Sequence, residues 1–195
     1  MASKEDILKK YRANVREKFD MPDLSDIAAI TYPDPLSQFV NMTRSVGGNA
    51  IEVAPGRDVN QLIRELYPDA KTFASNLPEI TIATSNPDEV EGAYDLNGTD
   101  VGIIRGEFGV AENACVWIPQ TMKEKAVMFI SENLIILLPK RQIVNNMHEA
   151  YQRIQFNEYG YGTFISGPSK TADIAQVLVM GAQAARSATV LLLDE

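Results

Sequence analysis

Two stretches of this chain carry side chains whose types and spacing suit chemistry. In the first, residues 162–174 read GTFISGPSKTADI, a predicted strand, a hydroxyl-rich turn and a helix start in succession. Gly167 lets a backbone approach closely, Ser169 and Thr171 supply hydroxyls, and Lys170 adds a positive charge beside the helix N-terminus, where Asp173 falls in the first turn. Unpaired N–H groups at such a terminus, with a lysine and hydroxyls, would hold a carboxylate or a phosphate. A helix that is merely capped needs the same residue types, with Ser169 or Thr171 as N-cap. The Gly-x-x-x-x-Gly-Lys frame of a P-loop is absent. In the second stretch, residues 105–114 read RGEFGVAENA, a glycine-interrupted loop between two predicted strands that carries Arg105, Glu107 and Glu112. Glu112 suits a general base, or a nucleophile toward an activated acyl group, if its surroundings perturb it. An ion pair with Arg105 or Lys170 that only fixes the loop is the alternative. The single histidine, His148, lacks a second ligand at i+4, and Cys115 and Trp117 sit in an apolar run that reads as core.

The elements that must position these residues follow from hydrophobic periodicity. Ile7, Leu8, Tyr11, Val15 and Phe19 form a helical stripe within residues 1–30, an arm that packs on the main domain or on another subunit. A homo-oligomer is one way to cover it. Asp34 with Pro35 starts a second helix that Gly47 and Gly48 end, and Asp58 with Gln61 starts a third that stops at Pro68. Strands are predicted at 50–53, 71–74, 80–82, 100–105, 114–118, 133–138 and 188–193, with a helix over 142–156 and another after Asp173. Residues 133–138 are apolar on both faces, as in a central strand covered on each side. The order predicts an α/β fold, a mostly parallel sheet with helices on both faces, occupying residues 31–195. In such a sheet ligands sit at the carboxyl ends of the strands, and the 166–173 turn is expected there.

Composition excludes several classes. At 195 residues and 45% hydrophobic the chain can bury the core of one domain. Its longest apolar run, residues 134–138, is far short of a membrane span, and the charged N-terminus does not read as a signal peptide, so a cytoplasmic protein is expected. A net charge of −8 opposes nucleic acid. One cysteine cannot form an intrachain disulfide or ligate an iron–sulfur cluster, so any such cofactor is expected on a partner and none in this chain.

Residues 109–112, GVAE, followed by a strand, and residues 166–174, SGPSKTADI, leading to Val179, Met180, Gly181 and a terminal apolar strand, together resemble the LUD domain of the LutC/YkgG lactate-utilisation proteins. The resemblance covers the chain from about residue 34 onward. It implies a fold similar to the NagB/RpiA/CoA-transferase class and a role as the cluster-free component of a system oxidising L-lactate to pyruvate. The implied partners are iron–sulfur subunits and a small carboxylate. Where the family usually reads Ala-Glu-Thr-Gly this chain has Ala111, Glu112, Asn113 and Ala114, which keeps the acid and loses the hydroxyl and the glycine. A family His-Gly-Pro step after Gly181 is replaced by Gln183, Ala184 and Ala185, and a further family histidine by Leu134. Losing both imidazoles removes the commonest general acid/base, so a non-catalytic subunit and an enzyme both stand as readings. The enzyme reading, suggested by the fold class, is a protein acting on an acyl thioester or sugar phosphate. A regulatory binding module is a third.

Overall fold

Capping side chains set the helices. In the computed structural model, which describes every residue except 1, 2, 18, 21, 24–26, 156–158, 173–175, 184 and 195, Ser3 and Asp6 form a reciprocal capping box at the start of α1 (Lys4–Asn14). No residue of α1 is buried, so the expected packing of its apolar stripe is not made against the described residues of this chain. Asp34 caps α2 (Pro35–Ser45) by accepting the Ser37 N–H, with Pro35 at the first helical position. Gly47, at φ +82°, turns the chain out of α2 into β1 (Asn49–Glu52). Asp58 caps α3 (Val59–Leu66) through the N–H groups of Asn60 and Gln61. The chain continues through β2 (Phe73–Ala74), β3 (Val101–Arg105), β4 (Phe108–Val110), β5 (Val116–Pro119), α4 (Val127–Ile130), β6 (Asn133–Pro139), β7 (Ile143–Val144) and α5 (Met147–Arg153). It closes with β8 (Gly162–Ile165), β9 (Lys170–Thr171), β10 (Val179–Met180) and β11 (Ser187–Leu193).

Five strands form an all-parallel sheet in the order β1-β11-β6-β3-β2, with β6 at its centre. Residues 134–138 of β6 are buried on both faces, as the unbroken apolar run predicts. On one face Ile103, Ile135, Leu137 and Leu191 pack with Ile63 of α3. On the other, Ile104, Leu134, Ile136, Leu138 and Val190 meet Phe39 of α2 and Val116 and Ile118 of β5. Thus a helix lies on each face, and the second face is also covered by a four-stranded mixed sheet, β7-β4-β5-β8. That sheet buries its own outer side, with Phe108, Val110, Trp117 and Val144, under Ala150 of α5. The result is the expected α/β class with an added layer.

Three predicted elements differ. Residues 80–82 form a turn rather than a strand, because Asn60 Oδ1 accepts the N–H groups of Thr81 and Ile82. The helix predicted over 142–156 is shorter: Ile143 and Val144 pair with β4 as β7, and helix begins only at Met147, after the N-cap Asn146. The helix predicted after Asp173 is replaced, among the described residues, by the antiparallel pair of β9 and β10. Val177 and Leu178, read as its buried stripe, are 60% and 61% exposed.

Gly102 in β3 lets α4 seat on the sheet. A Cβ there would lie 2.4 Å from Ser131 Oγ and 3.0 Å from the Val127 carbonyl. We predict that Gly102→Ala lowers the unfolding free energy by about 1–3 kcal/mol, read from urea denaturation. A stability equal to the parent would contradict this packing.

Candidate functional site

The Glu112 turn is fastened to the start of α5. The N–H groups of Ala111 and Glu112 donate to the carbonyls of Val144 and Asn145, and Glu112 Oε2 accepts the Met147 N–H at 3.0 Å. The same junction is held from the other side: Asn146 caps the Glu149 N–H, the Glu149 carboxylate accepts from the Asn145 backbone and side-chain amides, and Asn145 Oδ1 accepts the Tyr32 N–H. Glu112 is therefore held in place as a hydrogen-bond acceptor at the start of α5. It pairs with neither Arg105 nor Lys170. The Asn146-x-x-Glu149 spacing is a legible capping pattern, and it is the signal by which sequence reading would have found this network.

Ser166, at the end of β8, joins this turn to the second stretch. Its hydroxyl donates to the Asn113 carbonyl at 2.8 Å, and Asn113 Oδ1 accepts the Cys115 N–H. Ala114, where the family pattern has glycine, takes φ +57°, a left-handed conformation that costs about 1–2 kcal/mol for a residue with a Cβ. Its methyl is 1% exposed, and burying it offsets part of that cost. Burial pushes the Cys115 thiol pKa up, hydrogen bonding to Ser166 opposes this, and the Glu112 carboxylate adds to it.

Beyond Ser166 the chain turns at Gly167, φ +66°, where a Cβ would lie 3.0 Å from the Val46 carbonyl and 3.5 Å from Lys170 Nζ. The Lys170 side chain thus folds back over Gly167, exposed and without an ion-pair partner among the described residues. Ser169 donates its N–H to Ala185 and its carbonyl accepts the Gly181 N–H, so its backbone is already used. Thr171 pairs with Val179. Asp173 lies outside the described residues. The anion cradle read from the sequence therefore keeps its glycine and its lysine, while the helix N-terminus expected beside them is replaced by a strand pair.

The placement also differs from expectation. Ala185 precedes β11, so residues 166–171 lie at the amino ends of the parallel strands, not at their carboxyl ends. Arg105 is at the other end: it ends β3 opposite Leu137, which pairs with Leu191, and it forms an ion pair with Glu79. Six residues of strand, roughly 20 Å, separate that level from Ala185. Arg105 does not join the others. Glu112, Asn113, Cys115 and Ser166 remain as one neighbourhood, joined by the bond from Ser166 to Asn113, and Gly167 and Lys170 follow Ser166 along the chain. Among the described residues no His, Cys, Asp and Glu are grouped to hold a metal ion, and no helix is long and apolar enough to cross a membrane.

The neighbourhood predicts a thiol pH profile. Alkylation of Cys115 should titrate above the usual thiol range. Glu112→Gln, which keeps an acceptor for Met147, should move the profile to lower pH, and Ser166→Ala should move it higher. Identical profiles in all three proteins would show that these side chains do not share a site.

Residues 94–193 match the model of the LUD domain, a span that includes both the Glu112 turn and residues 166–171. The crystal structure of a DUF162 family protein from Deinococcus radiodurans has a similar fold. It is 13% identical, with a TM-score of 0.64 over 82% of this chain and 96% of that one. No curated protein matches the sequence.

Proposed function

The chain belongs to the LUD-domain family, and from that premise we propose that it is the cluster-free component of a cytoplasmic system oxidising L-lactate to pyruvate, with its clusters on iron–sulfur partner subunits. The observation that supports this reading is that the matched span contains two segments, one carrying Glu112 and the other Lys170, joined by the bond from Ser166 to Asn113. A 2-hydroxy acid has complementary groups. Its carboxylate is taken by the Lys170 ammonium, and its hydroxyl donates to Glu112 Oε1, which accepts no hydrogen bond among the described residues while Oε2 is held by Met147. In this role the chain binds and orients the acid. Electrons leave through the partners. No observation specifically favours a nucleophilic Glu112, whose other oxygen is engaged by a backbone N–H.

Calorimetric titration with L-lactate and with pyruvate tests the binding. Lys170→Ala should weaken either ligand at least tenfold with the unfolding midpoint unchanged. Equal affinity in parent and variant would contradict the assignment. The system role is tested separately by affinity capture from lactate-grown cells of the source organism. Recovery of cluster-binding proteins is expected, whereas their absence together with normal lactate growth of a deletion strain would overturn it.

A further inference from the structure

Helix α1 has an apolar side that no described residue of the chain covers. Ile7, Leu8 and Tyr11 are 59%, 39% and 68% exposed, and no residue of the helix is buried. Eleven residues is below the roughly 12–15 at which an isolated helix becomes even marginally stable in water, so α1 gains most of its stability from whatever covers that side. Its charge limits the choice. Within α1, Lys4, Lys9, Lys10 and Arg12 outnumber Glu5 and Asp6, whereas the whole chain is −8. At about 100° per residue, Lys10 and Arg12 fall on either side of the Ile7, Leu8, Tyr11 stripe.

The body of the chain carries a matching surface. At the amino ends of β3 and β6 an open cleft of about 310 Å³ is lined by Leu66, Tyr67, Pro68, Asp69, Asp100 and Glu132. An apolar rim thus lies beside three carboxylates. Asp100 accepts the N–H groups of Lys71 and Thr72, which with the charge of Lys71 holds its carboxyl below the usual range, and Glu132 pairs with Arg186, which leaves Asp69 without an ion pair among the described residues. The cleft is too small for a helix but takes the side chains of one helical turn. An anionic membrane would attract α1 but repel the strongly acidic body that follows it.

We propose that the chain forms a two-fold dimer in which α1 of each copy lies on the cleft of the other. Ile7, Leu8 and Tyr11 cover Leu66, Tyr67 and Pro68, and Lys10 and Arg12 face Asp69, Asp100 and Glu132. Exchange of both arms is isologous and closes the assembly at two copies.

Light scattering on the full chain, with and without charge reversal, tests this. The parent should be a dimer at micromolar concentration, weakened by added salt. Lys10→Glu with Arg12→Glu, and separately Asp69→Lys, should each raise the dimer dissociation constant at least tenfold, and the three changes combined should restore much of it. The arm variants lie outside the core, so a cooperative thermal transition in them will show that the body is folded. A monomeric parent, or a dimer indifferent to the arm reversals, overturns the proposal. So does a monomeric parent that sediments with phosphatidylglycerol vesicles, which would assign α1 to a lipid surface.

Discussion

The structure depends on keeping β6 dry on both faces. Its backbone is paired on each side, by β11 through seven register pairs and by β3 through five, and its side chains from 134 to 138 are buried. A strand in that position satisfies its N–H and C=O groups within the sheet, but each apolar face must meet another layer. One face is covered by α3. The other needs more than α2, and the chain covers it with β5 and its neighbours, so that Val116 and Ile118 pack on Ile136 and Leu138. A Cβ on Gly106, the residue following β3, would lie 2.4 Å from Val116, which shows how closely this second layer approaches.

The candidate site is a consequence of that covering. The mixed sheet that closes the second face carries the Glu112 turn after β4 and Ser166 after β8, both beside β5, because β4 and β8 flank that strand in antiparallel pairing. The two stretches with chemical potential, more than fifty residues apart in sequence, meet for that reason. It also explains why residues 166–171 lie at the amino ends of the parallel strands. The usual rule places ligands at the carboxyl ends, but it concerns loops that leave a parallel sheet directly, and these residues belong to a second sheet laid over the first.

Much of the fold was legible because its signals are local. Asp34 with Pro35, and Asp58, specify helix starts within three residues of themselves, and the run at 134–138 specifies a covered strand without reference to a partner. What was not legible depends on distant groups. Whether residues 80–82 extend or turn is decided by the Asn60 side chain, and whether Lys170 and Thr171 begin a helix or a strand is decided by Val179, Met180 and the Ala185 carbonyl. Ile143 and Val144 fit a helical stripe as well as a strand until β4 offers its edge. For the site, residue types singled out Glu112, Gly167 and Lys170, but they could not show that Arg105 lies at the carboxyl end of β3, paired with Glu79.

The central proposal is that a small carboxylate is held by Lys170 and by the turn that carries Glu112. Its most direct test is a crystal structure of the chain with L-lactate or pyruvate at high occupancy. The account predicts ligand density with its carboxylate on Lys170 Nζ and, for lactate, its hydroxyl on Glu112. Density at the carboxyl ends instead, against Arg105 and Glu79, would contradict it.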